Sequence, residues 1–267
     1  MTAGSVTITW LRQAGFLLEG PSGAVLIDAF LSDIPGMLVP PAVAPEDLVG
    51  VDVVLATHEH GDHLDLPAWT RIGAASSDPV FVVPEPLRPM VEGGGISGER
   101  IIGARVGTPI AIGDITIEPV PACHGIDVAD AYTFGFERSA GLHRYVGYVV
   151  HIEGVSVYHA GDTILYPGME ELLSAMKIDV ALLPINGRDH YREQSNVVGN
   201  LHPREAAQLA AAIDASLVIP MHYDTAPGNT ESPAIFVDYL RRQHPKVSTL
   251  LPGNGASFTY SPPPTRR

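Results

Sequence analysis

The stretch Leu55–Pro67, "LATHEHGDHLDLP", carries three histidines and two aspartates directly behind the apolar run "VDVVL". A continuous apolar run of that length reads as a strand covered on both faces. The polar cluster that follows reads as the point where the chain leaves the sheet. His58, His60, Asp62 and His63 together are the residue types that bind a metal ion. In extended backbone, positions two apart point the same way, so His58 and His60 can face one ion. Asp62 and His63 are adjacent and diverge. At a helix start they reach toward a second ion.

Other strands end in the same manner. "TIEPVPAC" ends at His124, "VSVYHAG" at Asp162 and "SLVIPM" at His222. Sites in α/β proteins gather outside the carboxyl ends of strands, so these endings are expected to converge. The set His58, His60, Asp62, His63, His124, Asp162 and His222 is too large for one ion. It suits two, with a carboxylate between them.

Outward from the motif, short apolar runs alternate with Gly and Pro punctuation. "SVTITWL", "GFLLEG" and "AVLIDAF" read as three consecutive strands, and "VFVVP" as another. "IAIGDITIEPVPA" and "RYVGYVVHIEGVSVYHAGD" read as hairpins turning at Gly113-Asp114 and near Glu153-Gly154. Helices are expected over "DHLDLPAWTRIGAA", "PLRPMVEGGG", "MEELLSAMK", "HPREAAQLAAAID" and "SPAIFVDYLRRQ". "IDVALLPI", "SLVIPMHY", "VSTLL" and "ASFTY" read as strands. Meanders followed by strand–helix alternation predict an α/β protein with two sheets stacked face to face and helices outside. No linker is marked. Residues 1–260 are expected to form one domain, with 261–267 a disordered tail.

The chain has 267 residues and a net charge of −14, with a single cysteine, Cys123. The charge disfavours nucleic acid as a partner. The lone cysteine excludes an intramolecular disulfide and suits a reducing, cytoplasmic setting. No signal peptide is read at the start, and no run approaches the ~18 apolar residues of a membrane span. A homo-oligomer is compatible with these features.

"THEHGDH" resembles the T-H-x-H-x-D-H signature of the metallo-β-lactamase superfamily, and "CHG", "AGDT" and "MHYD" resemble its later ligand motifs, in order. More narrowly, "VDVVLATHEHGDHLDL", "GVSVYHAGDT", "IDVALLPINGRD" and "SLVIPMHYDT" resemble the UlaG-like branch, named for L-ascorbate-6-phosphate lactonase. The resemblance spans about Val6 to Tyr260. It implies a four-layer αββα sandwich with metals at one edge. It also implies that His58, His60 and His124 hold one ion, that Asp62, His63 and His222 hold the other, and that Asp162 bridges. The chain departs from the lactonase in its shorter N-terminus and in the histidine of "PACHG", which favours a full dinuclear site over the phosphorylated-ascorbate substrate.

Two divalent ions, Zn or Mn, would activate water for attack on a small-molecule ester or lactone. The carboxylates Asp62 and Asp162 take catalytic roles as ligands, and His202 that of proton donor to a leaving alkoxide. Asn186, Arg188, Arg192 and Tyr223 are candidate substrate contacts. His159 is read equally as a support for a ligand or as a core residue, and Cys123 as core. The stretch Ala129 to Arg144 is a candidate loop over the pocket. Two other chemistries are weighed on the same scaffold: cleavage of small or cyclic phosphodiesters, and iron-dependent redox chemistry.

Overall fold

The computed structural model describes residues 4–76, 78–125, 138–139, 141–194 and 199–263. Most of the candidate pocket loop from Ala129, and residues 264–267 of the tail, lie outside them.

Two seven-stranded sheets stack face to face. The first is built from β1 (Val6–Trp10), β2 (Phe16–Gly20), β3 (Gly23–Ile27), β4 (Val53–Leu55), β5 (Val80–Pro84) and β6 (Ile101–Ala104). The second takes β7 (Ile110–Ile112) and β8 (Ile115–Pro121). A two-residue pair, β9 (Arg138–Ser139) and β10 (Leu142–His143), precedes its β11 (Val146–Ile152), β12 (Val155–His159), β13 (Val180–Pro184), β14 (Leu217–Met221) and β15 (Ser248–Thr249). The last strand, β16 (Ser257–Tyr260), returns to pair with β1, so the first sheet reads β16-β1-β2-β3-β4-β5-β6 and the second β15-β14-β13-β12-β11-β8-β7.

Alternation along the strands explains the layers. Val6, Ile8, Trp10, Phe16, Leu18, Val25 and Ile27 point into the space between sheets, against Ile117, Tyr148, Val150, Val157 and Leu182. Their neighbours point outward. Leu26, Val54 and Phe81 pack under α1 (Leu66–Ala75) and α2 (Arg88–Gly93). Val149, Ala181 and Leu183 pack under α3 (Met169–Ala175), α5 (Pro203–Ala212) and α6 (Pro233–Gln243). A short α4 (His190–Gln194) follows β13. The result is the αββα sandwich.

Strand direction decides where the loops gather. β3, β4, β5 and β6 run parallel, and β1 runs parallel to β3 because β2 opposes both. In the second sheet β12, β13 and β14 run parallel, and β8 runs with them because β11 opposes both. The segments after β1, β3, β4, β8, β12, β13 and β14 therefore all leave at carboxyl ends. Bonds across the sheets tie this edge: His222 N–H donates to the Gln13 carbonyl at 2.9 Å, Val146 N–H to that of Thr57 at 3.2 Å. No helix among the described residues is long and apolar enough to cross a membrane.

Candidate metal centre

The seven candidate ligands come together at that edge as two groups. His58, His60, His124 and Asp162 form one, and Asp62, His63 and His222 the other; each residue offers a donor atom within 4.8 Å of the others in its group. In the first group His58 Nε2 and His124 Nε2 lie 2.9 and 3.2 Å from His60 Nδ1. In the second, Asp62 Oδ2 lies 3.3 Å from His222 Nε2 and 3.8 Å from His63 Nε2.

Asp162 stands between them with its oxygens divided. Oδ2 is 3.5 Å from His124 Nε2 and 3.9 Å from His58 Nε2. Oδ1 is 3.3 Å from His63 Nε2 and 3.4 Å from His222 Nε2. Donors about 2.0–2.1 Å from a tetrahedral ion are about 3.3–3.4 Å from one another. The observed spacings bracket that value. His63 Nε2 and Asp162 Oδ1 are also buried without a hydrogen-bond partner among the described residues. Buried polar atoms are normally paired, so two orphans facing each other mark a place for a cation. The donor set fits two ions.

Local structure delivers these atoms in ways that correct parts of the sequence reading. β4 stops at Leu55, so His58 and His60 sit in a loop and not on extended backbone. They meet by presenting different ring nitrogens. Asp62 and His63 lie in a turn ahead of α1, where the His63 and Leu64 N–H groups donate to the His60 carbonyl. The helix begins at Leu66. Its cap, Asp65, accepts from Ala68 N–H at 3.2 Å and from Leu31 N–H at 2.9 Å.

Asp28, at the end of β3, is a residue the sequence reading passed over. It is fully buried, with φ of 46°. Its carboxylate accepts from Thr57 N–H at 2.8 Å, from Thr57 Oγ1–H at 2.6 Å and from His63 Nδ1–H at 2.7 Å. With its proton committed to Asp28, Thr57 Oγ1 accepts from His58 Nδ1 at 3.0 Å. One carboxylate thus turns the Nε2 atoms of His58 and His63 toward the centre.

The titration pattern divides along the same line. Burial pushes His124 down to about 3, and with neighbouring histidines holds His58 well below its ordinary value. Burial also acts on His63 and His222, but Asp162, with Asp28 and Asp62 beside His63 and Asp62 beside His222, outweighs it and raises both. Asp62 and Asp162 are lowered: burial opposes this, and His63 and His222 prevail.

The other candidates have partners of their own. Glu59 pairs with Arg144 and does not join the donors. His159 is buried, giving Nε2–H to the Ala14 carbonyl at 2.8 Å and taking Gly161 N–H on Nδ1 at 3.1 Å, a satisfied core histidine. Cys123 is buried and its Sγ faces the Gly125 carbonyl. Asn186 is buried two residues past β13 and donates to Asn229 Oδ1 at 2.8 Å. Arg188 pairs with Glu205 at 2.7 Å, and Arg192 with Asp189, Glu231 and the Thr230 carbonyl. Those guanidinium groups serve internal acids, not an open anion site. His202 caps α5: its Nδ1 accepts from Arg204 N–H while Glu205 accepts its own N–H. The ring of Tyr223 stacks on Trp10 at 5.5 Å.

Comparison with known proteins agrees with this geometry. Residues 24–223 match the model of the beta-lactamase superfamily domain. The chain is 33% identical over 254 residues to a UPF0173 metal-dependent hydrolase of Archaeoglobus fulgidus, covering 95% of this chain and 99% of that one. It is 36% identical over 253 residues to one of Methanopyrus kandleri, covering 94% and 98%. An isothiocyanate hydrolase from Delia radicum gut bacteria shares the fold, with a TM-score of 0.73 at 20% identity over 96% and 99% of the chains. The chain belongs to the beta-lactamase superfamily, among the UPF0173 metal-dependent hydrolases. These relatives do not carry the name of the ascorbate-phosphate lactonase.

Proposed function

We propose that the chain opens a small lactone or related ester at a two-metal centre held by His58, His60 and His124 on one side, Asp62, His63 and His222 on the other, and Asp162 between. The observation that carries this reading is the division of Asp162, one oxygen toward each histidine group. Divalent ions there, Zn or Mn, would supply a nucleophile from water at neutral pH and charge to stabilise the oxygen that becomes anionic. Asp28 and Thr57 hold His58 and His63 in the orientation this requires. His202 accepts from Arg204 N–H on Nδ1, which leaves Nε2 as the nitrogen to carry the proton this reading assigns to a departing alkoxide. The pairing of Arg188 and Arg192 with acids favours an uncharged ester over a phosphorylated substrate. The UlaG-like motifs support a lactone within that class.

The test is metal content and turnover together. Protein as purified should hold about two ions per chain, lose lactone hydrolysis on chelation, and regain it with Zn²⁺ or Mn²⁺. Turnover of a chromogenic phosphodiester with lactones untouched would replace this reading with the phosphodiesterase one. Iron with visible absorbance would favour redox chemistry.

A further inference from the structure

Gln13 lies in the turn between β1 and β2, far in sequence from every candidate ligand, yet its side chain is buried against two of them. Its Nε2 donates to Asp62 Oδ2 at 2.8 Å. The same nitrogen lies 3.4 and 3.2 Å from the two ring nitrogens of His222. A carboxylate can only accept, which fixes the amide with its nitrogen toward Asp62. The main chain of Gln13 reaches the same group: its carbonyl accepts from His222 N–H at 2.9 Å and from Trp10 Nε1–H at 3.2 Å.

Both ends of this contact are held in a conformation side chains rarely adopt, with φ of 49° at Gln13 and 60° at His222. Asp62 is the most exposed carboxylate of the centre, with 29% of its side chain open. It comes from the first sheet's loop, His222 from the second sheet's. Their contact, at 3.3 Å, is made between the two loops.

We propose that Gln13 is the positioning residue of the second metal group, its carboxamide and carbonyl together setting Asp62 and His222 at the spacing an ion requires. The inference rests on the two-metal reading. A carboxylate oxygen has lone pairs for both the Gln13 N–H and an ion, so the contact orients Asp62 without competing for it. Gln13 Nε2 contacts Asp62 and His222, both of the second group, so the effect is expected at one ion.

The experiment titrates apo protein with Zn²⁺ against a chromogenic chelator, resolving two affinities, for the wild type, Gln13→Met and Gln13→Asn. Methionine keeps the length and removes the donor. Asparagine keeps a carboxamide and tolerates the left-handed backbone, but falls one methylene short of Asp62. Both variants should bind the first ion as the wild type does and the second 10- to 100-fold more weakly, by the general rule that removing a ligand's hydrogen-bond partner costs about that much. Thermal unfolding of the apo forms reports the fold; if Gln13→Met does not fold, Gln13→Asn decides. Two ions at wild-type affinity in a folded Gln13→Asn overturns the proposal, as does equal weakening of both ions. A wild type that takes only one ion overturns the two-metal reading itself, and this with it.

Discussion

His63 and His124 face each other across Asp162, and they are held by different means. His63 gives its Nδ1–H to a buried carboxylate, Asp28, at 2.7 Å. His124 Nδ1 is buried with no hydrogen-bond partner among the described residues and lies against the backbone of Gly199. The group around His63 is braced by Asp28 and Gln13 and is dense in carboxylate. In the group around His124, His58 is braced through Thr57, while the Nδ1 side of His124 itself is met only by packing among the described residues. The His63 ring is set by hydrogen bonds and charge, the far side of the His124 ring by shape.

The largest test removes what the halves share. Asp162→Ala leaves His63, His222 and His124 without their common anion. Bound metal should fall from two to at most one per chain, and turnover by at least about 10³-fold. Two retained ions would show that Asp162 is not the bridge.

The charge difference predicts a pH difference. Without metal, His63 and His222 are raised above the ordinary histidine value, so an ion entering their group competes with protons up to a higher pH than at an ordinary histidine. His124 and His58 are lowered and already neutral, so the other ion displaces none. A raised site binds metal worse as pH falls. Below the raised values, second-ion affinity should drop by up to about 100-fold per pH unit, while first-ion affinity stays nearly flat. Chelator competition from about pH 8 to about pH 6 reads this directly. Parallel slopes for the two ions would erase the distinction.

Asp28→Ala tests the bracing. It strands the Thr57 N–H, the Thr57 hydroxyl and His63 Nδ1–H in a buried place. The apo protein should lose roughly 3–5 kcal/mol, measured by denaturant unfolding. Second-ion affinity should fall 10- to 100-fold, with a smaller loss at the first ion through the Thr57–His58 relay. Unchanged affinity for both ions would mean the rings are held by packing alone.

How far this was legible in the sequence follows from the same contrast. The candidate ligands stood out because their types are dense in "HEHGDH" or close strand ends, and the layers because Val53, Val54 and Leu55 are apolar on both faces. Asp28 closes β3 as His222 closes β14, but a single aspartate after "VLI" carries no spacing to mark it. Gln13 could not be found at all: its partners are 49 and 209 residues away, and only the closing of two sheets brings them together. The pairing of Arg188 with Glu205 was equally hidden, since it depends on how α5 docks beside β13.

The smallest effect belongs to the ring set by shape. Gly199 has φ of 127°, a region open to glycine almost alone. A Cβ built there would lie 2.2 Å from His124 Nδ1 and 2.7 Å from its Cε1. Gly199→Ala must therefore shift either its own loop or the imidazole, whose Nδ1 has no hydrogen bond holding it among the described residues. The ring should tilt, carrying Nε2 away from its 3.2 Å and 3.5 Å spacings to His60 Nδ1 and Asp162 Oδ2. First-ion affinity should weaken by about 10-fold, toward the low end for a disturbed ligand support, with the second ion unaffected. This is the mirror image of the loss expected at Gln13, and the two variants titrated side by side would show whether the halves fail independently. If Gly199→Ala weakens the second ion as much as the first, the centre moves as one unit, and Asp162 transmits the strain that separate supports were inferred to contain.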